Sequence, residues 1–145
     1  QPLFEEVVVP VCSPALLRGK RQPDPAELAD WPLLQQSTRP DAWRQWFESQ
    51  QVDAPRAMAG PRYEQYSMQV AAAASGLGVA LMPTLLIEAE LGSGQLVIAS
   101  PHPVLSRRSY YLVQPDLPEL PALTLFKAWL QAQAARHQHT APDVR

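Results

Sequence analysis

Apolar positions recur along this chain in two different periods, and the switches between them predict its elements. Phe4 to Cys12 contains the run Val7-Val8-Val9-Pro10-Val11-Cys12, which reads as a strand ended by Ser13-Pro14. Pro23 to Asp30 predicts a turn and a short helix, with Asp24 as cap and Pro25 at the first helical position. Trp31 to Gln35 reads as the second strand. From Asp41 to Gln51 the period lengthens, and Trp43, Trp46 and Phe47 fall at i, i+3 and i+4 on one helix face. A third strand is expected over Arg56 to Arg62, interrupted at Gly60-Pro61.

The middle of the chain is the most informative part. A helix is expected from Glu64 to Ser75, with the run Ala71-Ala72-Ala73-Ala74 giving high propensity and a thin face for close packing. Gly76 and Gly78 supply the turn, Val79 to Met82 is a short buried strand, and Pro83 stops it. Thr84 to Leu91 reads as a helix closed by Gly92-Ser93-Gly94. Leu96 to Ile98 is a short strand, Pro101-His102-Pro103 a rigid link, and Ser109 to Gln114 a strand. The last helix is expected over Pro121 to Ala135, with Ala122, Leu125, Phe126, Trp129 and Leu130 buried, and a polar frayed end from His137 to Arg145. Strands and helices alternate, which predicts an α/β fold with a sheet flanked by helices.

These elements, in this order, resemble the effector-binding domain of LysR-type bacterial transcription regulators over nearly the whole chain. The resemblance rests on Ser75-Gly76-Leu77-Gly78-Val79-Ala80-Leu81-Met82-Pro83 after the alanine helix, and on the strand and turn Val7 to Leu17. Asp30-Trp31-Pro32-Leu33-Leu34 resembles that family's next strand. Ala42-Trp43-Arg44-Gln45-Trp46-Phe47 is similar to the W-x-x-W-F helix of the branch with the glycine-cleavage activator and the β-lactamase regulator. Tyr110 to Val113 and Ala122 to Leu130 resemble the closing strand and helix.

The resemblance implies a fold like a type 2 periplasmic binding protein, with two α/β subdomains joined by two crossover strands. Residues 3–100 would form the second subdomain, 101–136 the returning strand and helix of the first, and 137–145 a flexible tail. The winged helix-turn-helix, the linker helix and the opening half of the first subdomain would lie outside these residues. It further implies a non-enzymatic cytoplasmic sensor of a small-molecule effector, working as a homodimer or homotetramer. Promoter DNA would be bound through the N-terminal domain and not by this segment. A solute-binding protein of a transport system, with the same fold, is the alternative. A fragment of an α/β enzyme is a third class.

Composition narrows these readings. The chain has 145 residues, enough for one moderate core or most of two small lobes, and is 46% hydrophobic. A net charge of −2 gives no footprint for nucleic acid or anionic membrane. The 16 prolines favour many short elements. The single cysteine, Cys12, excludes an internal disulfide and reads as a buried, inert thiol. No run approaches the roughly 18 apolar residues of a spanning helix, so no membrane partner is expected. No G-x-S-x-G elbow precedes a helix. Gly76-x-Gly78 lacks a third glycine and follows a helix, so it is no dinucleotide fingerprint, and no cofactor is expected. His102, His137 and His139 lie outside the expected core and lack further ligands, so no metal site is expected. Glu5-Glu6 and the pair Glu88 and Glu90 read as solvated charges.

A ligand cleft in an α/β fold gathers polar groups at strand ends and helix starts. Ser13, Ser37, Thr38, Tyr66 and Ser67 occupy such positions. Ser37 and Thr38 are either effector contacts or N-caps of the tryptophan helix, and Ser67 is either a contact or an ordinary first-turn residue. The resemblance adds that the positions of Tyr66 and Ser67 often carry serines facing the effector, so Tyr66 would shrink the pocket. It also aligns Tyr110 with an aromatic residue bordering the cleft; packing within the first subdomain is the other reading. Trp43 and Trp46 read as core, because both point into one helix face.

Overall fold

In a computed structural model, residues 1–140 are described. Strand β1 (Pro2–Cys12) runs through the whole fold. It is followed by α1 (Pro14–Leu17), α2 (Pro25–Leu28), β2 (Leu33–Gln36), α3 (Ala42–Ser49), β3 (Arg62–Tyr63), α4 (Tyr66–Ala74) and β4 (Val79–Pro83). A 3₁₀ turn over Thr84–Ile87 leads to α5 (Glu88–Ser93), β5 (Val97–Ile98), β6 (Val104–Tyr111) and α6 (Pro121–Thr140). The sheet has six strands in the order β3-β2-β4-β1-β5, with β6 also paired to β1. β2 is parallel to β3 and β4, while β1 is antiparallel to β4, β5 and β6. This mixed α/β sheet, with helices on its faces, is the expected fold class.

The alternation of β4 explains why both sheet faces are covered. Val79 and Leu81 point to one face and Ala80 and Met82 to the other, and all four are buried. On the first face they meet Trp43, Trp46 and Phe47 of α3. The three rings pack at centroid distances of 5.0 to 5.7 Å. Their indole donors are satisfied: Trp43 Nε1 donates to the Leu34 carbonyl and Trp46 Nε1 to the His102 carbonyl, both at 2.9 Å. On the second face Ala72 and Ala73 bring α4 against Val9, Val11 and Leu34. Gly78 is required by close approach, since a Cβ there would lie 2.4 Å from the Pro32 carbonyl oxygen. That carbonyl accepts the Val79 N–H at 2.9 Å and ties the start of β4 to β2.

Several elements differ from the sequence expectation. β3 is only Arg62–Tyr63, because residues 56–59 form a turn. The buried Gln35 amide donates to the Ala57 and Ala59 carbonyls, supplying partners that a ladder would otherwise give. Ser13-Pro14 does not simply break the chain but starts α1. Thr84 to Leu91 is a 3₁₀ turn followed by α5 rather than one helix. β6 begins at Val104 rather than Ser109 and ends at Tyr111, because the long β1 offers pairing partners along that whole stretch.

The last helix continues past Ala135 to Thr140, so 137–140 are helical, while 141–145 of the expected tail lie outside the described residues. Its packed side is also different. Leu125, Phe126 and Trp129 are 74%, 49% and 56% exposed, while Ala134 is buried and α6 lies against β1 through the other side.

Candidate functional site

A cleft of about 170 Å³ opens where β6 leaves the sheet. Val8 and Leu81 form its floor, Val104 to Arg108 of β6 one wall, and the segment from Gln36 to Trp46 with Tyr66 the other. Topology makes this hollow. β1 pairs with β4 through Val8 to Val11 on one edge and with β6 through Pro2 to Val8 on the other, so before Val8 the β4 edge of β1 is open.

A charge network centred on the buried Glu6 lies behind the lining residues Arg39 and Ser106. Glu6 is 2% exposed, and its Oε1 pairs with Arg39 Nη1. Ser106 Oγ donates to the same Oε1 at 2.9 Å, and the Tyr110 hydroxyl donates to Oε2 at 3.2 Å. The Arg39 guanidinium lies 5.2 Å from the Tyr66 ring centre. Arg108 reaches across from β6, its Nη2 donating to the Thr38 carbonyl at 2.9 Å. Glu6 thus ties β1 and β6 to the loop after β2.

The titration behaviour follows from these contacts. Burial raises the Tyr66 hydroxyl well above its usual range, the nearby Arg39 charge opposing only in part. Burial also raises Tyr110, helped by the Glu6 charge and by donation to it. Burial works against the Arg39 cation, but the Glu6 hydrogen bond and charge outweigh it and raise its pKa.

The predicted site residues divide into three groups. Thr38 and Tyr66 line the cleft, and Tyr110 lies outside the lining, bonded to Glu6, which in turn holds the lining residues Arg39 and Ser106. Ser37 and Ser67 are exposed next to lining residues but outside the lining, and the Ser67 hydroxyl is 3.5 Å from Gln65 Oε1. Neither Ser37 nor Thr38 caps α3, since Asp41 holds that position. Ser13 is 7% exposed and accepts the Ala15 N–H at 3.3 Å as the cap of α1, away from the cleft.

Glu6, Arg39, Ser106 and Arg108 were missed from the sequence. Glu6 was read as solvated, yet it lies in phase with Phe4 and Val8 on β1, and that period was the available signal. His137 is likewise not on a loose end. Its ring packs 4.9 Å from Phe4, and its Nδ1 lies 3.5 Å from Glu88 Oε1. No group of three or more metal-ligating side chains occurs among the described residues.

A mixed α/β sheet flanked by helices, with a cleft beside the paired strands β1 and β6, fits the type 2 periplasmic-binding-protein class. The LysR substrate binding domain family matches residues 1–135, and the chain belongs to that family. The glycine cleavage system transcriptional activator of Escherichia coli K12 is 33% identical over 138 residues, covering 94% of this chain and 45% of that protein. The transcriptional activator AmpR of Rhodobacter capsulatus is 36% identical over 136 residues, covering 92% and 45%. Among solved structures, the effector domain of AmpR from Pseudomonas aeruginosa superposes with a TM-score of 0.77 at 26% identity, covering 94% of this chain and 64% of that one. The chain spans less than half the length of the curated relatives it matches. These relatives are named as transcription regulators, and nothing among them favours a transport receptor. No helix among the described residues is long and apolar enough to cross a membrane.

Proposed function

We propose that this chain is the effector-sensing part of a cytoplasmic LysR-type transcription regulator and makes or breaks no covalent bond. A small metabolite binds in the cleft between β6 and the loop after β2. Residues 3–100 act as the second subdomain, and 101–136 supply the returning strand and helix of the first. Thr38 and Tyr66 contact the effector, Ser37 and Ser67 stand at the rim, and Tyr110 acts through Glu6. Ser13 serves α1 instead.

The observation that carries this reading is the bonding of Glu6, which joins β1, β6 and the cleft wall in one network. A ligand that binds one arrangement of that network better than another shifts the relation between the lobes. In a homodimer or homotetramer that shift re-spaces the attached DNA-binding domains on promoter DNA.

The test is a gel-shift titration of the intact protein on its own upstream DNA, with and without a small-molecule extract. The proposal expects a sequence-specific complex whose mobility or affinity changes with extract. Absence of promoter affinity in both conditions contradicts it. Ser67→Leu is expected to blunt the extract response and leave DNA binding intact, and an unchanged dose–response curve removes Ser67 from the cleft.

A further inference from the structure

We propose that the cleft selects an effector carrying an oxyanion group, a carboxylate or a phosphate, and holds it through Arg39 and Arg108. This rests on the cleft reading above and adds the chemical class of the ligand. The chain as a whole carries −2, but its cleft is cationic. Arg39, Arg107 and Arg108 line it against one acid, Asp41. Asp41 is already engaged outside by Arg44 at 3.3 Å.

Arg39, half-buried, and Arg108, exposed at the mouth, are held in place without being saturated. Arg108 donates to a neutral carbonyl, that of Thr38, which fixes its position, and it makes no ion pair among the described residues. Arg39 is steadied on one side by Glu6 and on its face by Tyr66. Its Nε is buried and has no hydrogen-bond partner. A buried donor without a partner is unfavourable, and the guanidinium fork is matched to an oxyanion that takes two parallel N–H bonds. A neutral occupant would leave three arginines facing only Glu6 and Asp41, a net positive charge around one small volume. Glu6 is the internal counter-ion that orients Arg39, and the effector supplies the missing outer one.

The test is thermal-shift and calorimetric titration of the intact protein at matched ionic strength. The probes are acetate, succinate, benzoate and inorganic phosphate, set against acetamide, succinamide and benzamide. Saturable binding by at least one anion and by no amide is expected. A carboxylate-only response and a phosphate-only response each support the class and separate its two sources. Arg108→Gln is expected to weaken that binding about ten- to a hundredfold. Because Arg39→Gln alone strands Glu6, the double change Glu6→Gln with Arg39→Gln keeps a neutral pair and is expected to lose the anion response. Equal binding of amides, or an anion response unchanged in both variants, overturns the charge class while leaving the cleft reading standing. Silence from every probe also overturns the class. The cleft reading falls only if the metabolite extract is silent in the gel shift as well.

Discussion

The two ends of β1 sit in different surroundings. Val9, Val11 and Cys12 run through the middle of a sheet covered by helices on both faces, and none is more than 2% exposed. Pro2 to Glu5 have only β6 beside them and α6 along one side, and Pro2 and Glu5 are exposed. The first region is a self-contained core. The second is a ribbon whose accompanying helix still presents Leu125, Phe126 and Trp129 to solvent. The same chain therefore holds a closed platform and an open two-stranded ribbon, and the cleft lies at their junction. A sensor needs both, since a platform alone cannot shift and a ribbon alone cannot hold a ligand.

The sharpest way to break this comparison is to cut one tryptophan from each region. Trp46→Ala is expected to destabilise by about 3–5 kcal/mol in urea unfolding, because the ring is fully buried and its indole donor is bonded. Trp129→Ala in the isolated chain should fall within about 0.5 kcal/mol. Similar costs at both sites would erase the distinction between platform and ribbon.

Glu6→Gln against Glu5→Gln tests the junction itself. Removing one partner of a buried ion pair costs about 3–5 kcal/mol, and the neighbouring exposed carboxylate should cost next to nothing. A small loss for Glu6→Gln in chemical denaturation would mean that the network does not tie the strands together. Gly78→Ala comes next, with about 1–3 kcal/mol expected from the clash with the Pro32 carbonyl, whereas Gly92→Ala meets nothing within 4 Å.

The mildest probe is pH. Burial raises the Cys12 thiol from 9.0 to about 11. The folded state therefore keeps a proton that the unfolded chain releases. That stability is complete below about pH 9 and is lost as pH rises toward 11. Thermal melts should show this decline, flattened in Cys12→Ala after allowing for its cavity. Fast thiol labelling of the native protein at pH 8 would contradict the burial.

Local physics explains which parts were legible in advance. The alanine helix, the β4 run and the Trp43-Trp46-Phe47 face carry their environment in their own period, and all three appear where expected. Glu6 does so only in part: its alternation with Phe4 and Val8 marks an inward face. Its partners Arg39, Ser106 and Tyr110 stand 33, 100 and 104 residues away, and nothing near it in the chain names them. β3 shortened for a similar reason, since the Gln35 amide intercepts carbonyls from a turn more than twenty residues away. On α6 the apolar stripe was visible, but which side meets β1 depends on where β6 delivers the helix. Of the six candidate contacts, the lining includes two, Thr38 and Tyr66. Ser13 shared the strand-end position and differed only in having a local N–H to accept.

The central claim is that a ligand binds at the junction of platform and ribbon. Hydrogen–deuterium exchange of the intact protein, with and without the extract that shifts its DNA complex, tests this most directly. The account predicts slowed exchange in peptides covering 36–46 and 104–111, with β4 and α3 unchanged beyond that edge. Protection confined to the depression between α1 and Trp31, or none in either cleft wall, would contradict it.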